Sequence, residues 1–512
     1  MPIKTPTPSE QFHIPYLKIK HAKIETELLE KVTARLACYY RLMPVEFKDD
    51  TLIVALSDPL DVRTLDDLRL ILGCEVKGVF AKQSDIFESI RKRYGVGAET
   101  IEAISCPGED LLSRARVEDI ENIAEDASII KFVNQVLAQA VRDRATDVHI
   151  EPCEDELKIR YRVDGVLFDT PVPKNIKYFQ SAIVSRIKIM ANLDIAEKRL
   201  PQDGRIKVKM AGEELDLRIS ILPSQFGESV DIRILSVNML YNMKNLGLLP
   251  RNLEILENLI HKPHGIIFVT GPTGSGKTTT LYSCLSKINK SDKKIITIED
   301  PVEYQLKGIT QVHVNPRIGL TFAVGLRSML RHDPDIMMVG EARDLETIET
   351  TIRVALTGHL VFSTMHTNNA AGGITRLLDM GVEPYLIASS VECFIAQRLV
   401  RLVCPKCRIE KRVGEGVLKG FGINNASSEL NVYEGQGCEY CNFSGYKGRT
   451  GIYEFLVMDE AIREMILRHS SSGQIKKKAL LSGMHTLRMD GWQKVKKGLT
   501  TISEVVRVTD QD

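Results

Sequence analysis

The 512-residue chain is 43% hydrophobic and 26% charged, which suits roughly three or four folded domains and excludes a disordered or fibrous protein. Lys+Arg 68 against Asp+Glu 67 leaves +1, excluding the global basic excess that holds proteins to nucleic acid or anionic lipid. The opening MPIKTPTPSEQFHIP has no apolar core of the signal-peptide kind and no window approaches ~18 continuous apolar residues, so a soluble, cytosolic protein is expected, meeting a membrane only through partners.

From Pro15 to Tyr94 short elements alternate. Glu25 to Tyr40 predicts a helix, Leu52 to Ala55 a strand, Ser57-Asp58-Pro59 a turn, Asp61 the cap of a helix through Leu72, and Glu75 to Phe80 another strand. Residues 1–97 are therefore expected to form a small α/β domain, and the polar, weakly periodic stretch 98–126 a linker. Apolar Ile129, Ile130, Val133, Val136, Leu137 and Ala140 recur at helical spacing and open a second domain, 127–240. Its predicted strands are Asp147 to Ile150, Leu157 to Val163 and Leu215 to Ile221, with a helix at about Tyr178 to Ala191. Between 241 and 403 strands at Gly265 to Thr270, Lys294 to Ile298, Ile336 to Val339 and His359 to Thr364 alternate with helices, the pattern of a parallel sheet that binds ligands at its carboxyl edge. A cysteine-rich insert, 404–450, and a helical tail, 451–512, complete the chain.

The chemistry starts where the first of those strands ends. Gly271-Pro272-Thr273-Gly274-Ser275-Gly276-Lys277-Thr278-Thr279 fits G-x-x-x-x-G-K-[ST]. Such a loop turns backbone N–H groups onto nucleotide phosphates, its lysine, here Lys277, reaches the β and γ phosphates, and the hydroxyl of Thr278 holds Mg²⁺. The next strand ends in Glu299-Asp300-Pro301-Val302-Glu303, and the one after in Gly340-Glu341. The metal-holding Asp of P-loop enzymes would occupy the place of Gly340. Glu341 therefore suits activation or orientation of the attacking water, while Glu299, Asp300 or Glu303 can complete the Mg²⁺ environment. His359 and His366 bracket the following strand, and either can sense the γ phosphate.

Cys404-Pro405-Lys406-Cys407 and Cys438-Glu439-Tyr440-Cys441 are two C-x-x-C knuckles with 30 residues between them, the spacing of a closed, structural Cys₄ zinc site. Cys38, Cys74, Cys106, Cys153, Cys284 and Cys393 have no ligand spacing, and ten cysteines in a long chain do not make a disulfide scaffold.

Taken in order, GPTGSGKTTT, ITIEDPVEY, RHDPDIMMVGEARD and TGHLVFSTMHTN resemble the Walker A, Asp box, atypical Walker B and His box of the secretion ATPases, most closely those of type II secretion and type IV pilus assembly. TDVHIEP at 146–152, LPQDGRIKVK at 200–209, QRLVR at 397–401 and the closing DGWQKVKKGLTTISEVVRVT extend the resemblance over most of the chain. It implies an α/β fold: a RecA-like P-loop core with a parallel sheet, preceded by two smaller α/β domains, the second PAS-like, and followed by the Cys₄ zinc insert and helical tail. It implies ATP, Mg²⁺ and Zn²⁺ as cofactors, a homohexamer, and as partners an inner-membrane platform and the cytosolic domain of a membrane-anchored protein.

Arg218 in LDLRIS and Arg233 in DIRIL match positions the family uses to reach the nucleotide, in cis or in trans, with Arg205 in PQDGR a further candidate. Lys277, Glu341, His366, Glu303, Arg218 and Arg233 form the expected catalytic set. The function implied is ATP hydrolysis driving assembly of a pilin-like filament in type II secretion, with type IV pilus extension as the alternative. Some relatives bind cyclic di-GMP in the N-terminal region through paired copies of a sequence absent here, so no such regulation is expected. RecA-like sheets also run nucleic-acid motors, but near-neutral charge and the single Trp492 disfavour a stacking track.

Overall fold

The computed structural model describes residues 17, 19, 24–98, 100, 127–210, 212–236, 242–414 and 430–509; most of the expected linker, with Cys106, lies outside the described residues. The chain divides into two compact units between Asn238 and Met239.

The first unit holds two sheets. The smaller has the order β1 (Met43–Lys48), β2 (Thr51–Leu56), β3 (Glu75–Phe80), with β1 antiparallel and β3 parallel to β2. The helix expected over 25–40 is two, Thr26–Lys31 and Ala34–Tyr39, because Val32 and Thr33 are extended and the Thr33 hydroxyl caps the second by accepting from the Leu36 N–H. Asp61 caps Val62–Leu72 as its sequence position predicts, accepting from the Thr64 N–H.

The larger sheet is antiparallel, in the order β6-β5-β4-β9-β8-β7, from β4 (Ala145–Pro152), β5 (Leu157–Val163), β6 (Val166–Thr170), β7 (Gln202–Met210), β8 (Glu213–Ser224) and β9 (Gly227–Ser236). Alternate residues such as Val148, Tyr161, Leu217 and Ile232 bury one face against helices Ala127–Arg142 and Gln180–Ala191. The opposite face is polar. β6, β7 and β9 are absent from the sequence reading because their polar, solvent-facing residues dilute the apolar signal.

Lys188, 1% exposed, sits on the core-facing side of Gln180–Ala191 and is held by the Glu228 carboxylate at 2.6 Å and the Glu197 carbonyl at 2.6 Å.

The second unit is built on a seven-stranded sheet, order β12-β11-β13-β14-β10-β15-β18, formed by β10 (Gly265–Thr270), β11 (Ile295–Glu299), β12 (Thr310–His313), β13 (Ile336–Val339), β14 (Leu360–Met365), β15 (Val391–Val403) and β18 (Tyr446–Val457). Six strands are parallel; β18 pairs antiparallel to β15. The tail is thus not helical from 451. Thr450 to Leu456 are buried without a break and complete the sheet, and helices begin at Glu460. A separate ribbon, β16 (Arg408–Val413) with β17 (Leu430–Gly435), carries the cysteine insert.

Breaking the Lys188–Glu228 pair from one side leaves a buried carboxylate without its cation. Lys188→Met is expected to destabilise the first unit by about 3–5 kcal/mol, read as an earlier urea transition, and adding Glu228→Gln should recover part of the loss.

Candidate active site

β10 is buried along its whole length and delivers the chain to Gly271, and the helix Lys277–Ile288 starts six residues later. Gly276 caps that helix at φ +87°, a conformation open to glycine at little cost. A β-carbon on Gly271 would stand 2.6 Å from both the Gln397 carbonyl oxygen and Ser275 Oγ, so only glycine lets the loop close against β15. The result is a helix N-terminus with its N–H groups and dipole aimed at one small space, an anion site. Lys277 Nζ donates to the Gly271 and Pro272 carbonyls, at 2.8 and 3.1 Å, which fixes its charge over the loop, with Thr278 and Thr279 half-buried in the first turn behind it.

Two residues beyond β13 and one beyond β14, Glu341 and His366 meet. His366 Nε2 lies 2.9 Å from Glu341 Oε1, and Arg343 Nη2 lies 2.6 Å from Glu341 Oε2. Burial works against ionising Glu341, but Arg343, His366 and Lys277 outweigh it and hold the carboxyl below its ordinary range. Burial, reinforced by the Lys277 charge, pulls His366 down despite Glu341. Near neutral pH this gives an ionised acceptor beside a neutral imidazole, at the mouth of an anion site. That pairing can orient a water against a phosphoryl group.

The structure separates residues that the sequence groups together. His359 stands at the amino end of β14, roughly 20 Å from the phosphate-loop edge at ~3.3 Å per residue, with Nδ1 3.0 Å from the Val354 carbonyl and 3.2 Å from Thr357 Oγ1; it finishes a helix and does not reach the nucleotide. Glu299, expected on the nucleotide side, is instead 3% exposed beneath the phosphate-loop helix. Its oxygens accept from Thr297 Oγ1 at 2.6 Å, Gln311 Nε2 at 3.1 Å and the Tyr282 hydroxyl, and burial raises its pKa. With both oxygens engaged, Glu299 braces the sheet against the helix. Asp300 is exposed and faces the Arg343 charge, whereas half-buried Glu303 lies within electrostatic reach of Glu299.

In the first unit, strand register assembles a row of charge. Arg205 on β7 pairs with Arg218 on β8, which pairs with Arg233 on β9, which pairs with Asp147 on β4. Directly opposed residues share a face, so three guanidinium groups lie side by side on the polar side of the sheet. Asp216 holds Arg205, and Asp147 Oδ1 accepts from Arg233 Nε at 3.0 Å; both carboxylates are buried.

The cysteine knuckles converge too. Arg408 pairs with Gly435, which brings Cys407 and Cys438 to the same end of the ribbon, and all four sulfurs lie within 4.8 Å of one another. Cys404–Cys438, Cys407–Cys441 and Cys438–Cys441 are each separated by 3.8 Å between sulfurs, the edge of a tetrahedron with ~2.3 Å metal–sulfur bonds. The donor set fits a metal. Of the remaining described cysteines, Cys74, Cys284 and Cys393 are buried and Cys38 and Cys153 half-buried, outside this cluster.

A sequence profile described as Type II/IV secretion system protein matches residues 122–507, and one described as MshEN domain matches residues 12–100. The chain belongs to the Type II/IV secretion system protein family. The Type IV pilus assembly ATPase PilB of Myxococcus xanthus is 42% identical over 513 residues, 98% of this chain and 90% of its own. Type II secretion system protein E of Aeromonas hydrophila is 50% identical over 398 residues, 77% of this chain and 78% of its own. Among solved structures, the Legionella pneumophila ATPase DotB superposes with a TM-score of 0.54 at 22% identity, covering 74% of this chain and 95% of that one, a likeness of fold. This member of the family is accordingly an ATPase of the secretion and pilus-assembly class.

Two residues of this secretion-family site escape the sequence reading. Arg343 lies in the GEARD segment, and Arg398, 9% exposed, lies in QRLVR with its guanidinium on the Gln397 and Asn368 carbonyls beside Gly271. Their motifs were visible, but nothing in the sequence says which arginine turns inward.

Burial, opposed by Glu341 and reinforced by Arg398, lowers Lys277 to about 8. Only the ammonium form pairs with phosphate, and a bound phosphate raises its pKa, so ATP affinity is expected to be full below about pH 8 and to fall by up to ~tenfold per pH unit above it. A fluorescent ATP analogue titrated across this range should show the inflection in the wild type and not in Lys277→Ala.

Proposed function

We propose that the protein uses Mg²⁺-ATP as a homohexamer to drive assembly of a pilin-like filament in type II secretion. The observation that carries this reading is the meeting of Lys277, Glu341 and His366 at the carboxyl edge of a P-loop sheet. Lys277 binds the phosphates, Thr278 holds Mg²⁺ with Asp300 or Glu303 completing its surroundings, and Glu341 orients the attacking water beside His366. The arginine row supplies the remaining charge: Arg218 and Arg233, with Arg205 beside them, neutralise the γ phosphate of their own or a neighbouring subunit as charge develops on it.

The work is done on partners: an inner-membrane platform and the cytosolic domain of a membrane-anchored protein, docked by the N-terminal domain. No helix among the described residues is long and apolar enough to cross a membrane, and a position at the cytoplasmic face of the inner membrane, held through these partners, follows from the proposal. Type IV pilus extension is the second reading, favoured by the pilus ATPase match that spans 98% of this chain and 90% of the relative. Turnover unaffected by single-stranded DNA is expected; strong stimulation would favour a nucleic-acid motor.

Kinetics test the roles. Glu341→Gln should bind ATP normally and lose hydrolysis. Arg218→Ala and Arg233→Ala should cut kcat by ~10³-fold or more while leaving ADP affinity nearly unchanged, since the lost contact acts on the γ phosphate in the transition state. Normal turnover by both arginine variants as hexamers would remove the clamp from this scheme.

The Cys₄ centre is proposed to hold Zn²⁺ in a closed, structural shell. Metal analysis should find zinc in the purified protein, and Cys438→Ser should lose it and unfold the insert, at a local cost on the order of 10 kcal/mol, while retaining Lys277-dependent nucleotide binding.

A further inference from the structure

Behind the phosphate loop, on the side away from the Glu341–His366 pair, runs a line of buried polar groups that hydrolysis as described above does not use. Thr280 is the fourth residue of the phosphate-loop helix and fully buried; its hydroxyl donates to Gln397 Oε1 at 2.7 Å. Gln397 on β15 and Tyr453 on β18 are direct cross-strand partners, so both face that helix. Gln397 Nε2 would stand 2.8 Å from a β-carbon on Gly276, the residue before Lys277. The Tyr453 phenol stands beside the Thr280 hydroxyl and donates its one hydrogen to the Leu246 carbonyl at 2.9 Å, so Tyr453 and Thr280 are linked by packing and by the Gln397 side chain between their elements. Leu246 closes the short turn Met243–Leu246 at the entry of the second unit.

The line is anchored at its far end. The Tyr453 N–H donates to Asp490 Oδ2 at 3.3 Å, Asn252 Nδ2 to Asp490 Oδ1 at 3.3 Å, and Lys494 Nζ to Asp490 Oδ2 at 2.8 Å and to the Gly451 carbonyl. Asp490 and Lys494 are 0% and 1% exposed. A polar chain of this length inside a core is costly unless every member is satisfied, and when it is satisfied it specifies one arrangement.

We infer that Tyr453, Gln397 and Thr280 are positioning residues for ATP hydrolysis, tying the start of the phosphate-loop helix to the Leu246 carbonyl at the entry of the ATPase unit. All three are buried behind the loop. Their effect runs through where Gly276 and Lys277 stand relative to Glu341, and a shift of about 1 Å in such a constellation costs on the order of 10²-fold in rate. This rests on the ATPase assignment and is independent of the arginine clamp.

The test is steady-state ATP hydrolysis by the full-length protein, with thermal unfolding recorded alongside. Tyr453→Phe removes one oxygen and keeps the ring; Thr280→Val removes the hydroxyl and keeps the shape; Thr280→Ser restores the hydroxyl. Tyr453→Phe and Thr280→Val are expected to lower kcat by roughly tenfold or more with KM for ATP changed less than about threefold, Thr280→Ser to stay near wild type, and the double variant to be no slower than the worse single. Two outcomes overturn the inference: kcat unchanged in both singles while the melting temperature falls, which leaves these groups a structural role only, or losses that multiply in the double variant. Should Tyr453→Phe not fold, the Val and Ser variants at position 280 decide it alone. An inactive wild type would instead defeat the ATPase assignment.

Discussion

Parallel pairing in a common register is the constraint on which the active site depends. Thr270 lies level with Met365, Val339 with Ser363, and Ile298 with Val339, so β10, β11, β13 and β14 finish along one edge. Whatever follows those strands within a few residues is brought to the same place. A slip of one residue in β13 would turn its buried methionines to the wrong layers and carry Glu341 away from His366. The buried faces of Ile267, Val269, Met338 and Phe362 on one side, and Phe268, Met337, Val339 and Val361 on the other, hold that register.

On that edge, charge is balanced by arrangement. Glu341 stays ionised although half-buried, because a guanidinium, an imidazole and an ammonium converge on it. Lys277 is shifted toward neutrality by burial and by the Arg398 charge, and His366 by burial and by the Lys277 charge. An incoming polyanion relieves exactly that crowding of positive groups, so the site gains on binding phosphate what it lacks alone.

The first unit solves an opposite problem. Three arginines directly across neighbouring strands repel, and the sheet tolerates them because buried Asp147 and Asp216 take hold of the two outer ones. The carboxylates also restrict the guanidinium groups to one side of the sheet. In the insert, the β16–β17 ribbon plays a comparable part, bringing to one end two knuckles that lie 30 residues apart in sequence.

Much of this was legible in the chain. The phosphate loop, the order of the alternating strands and the paired C-x-x-C knuckles are local signals: glycine spacing, apolar periodicity and ligand spacing each act over a few residues, and so the sequence alone determined them. The family resemblance added the arginines by position. Tertiary structure alone decided the rest. Glu299 and Asp300 are adjacent in sequence, yet one is sealed under a helix and the other faces solvent, because Glu299 is the last residue of a strand buried throughout and Asp300 is the first beyond its end. His359 and His366 differ only in which end of β14 they occupy. β18 joins the sheet by pairing with β15 across the whole cysteine insert, and Tyr453 reaches Leu246 through a contact spanning more than half of the second unit's chain. Periodicity tells which face of an element is apolar; which buried polar group meets which depends on packing between elements far apart in sequence, and no local pattern records it.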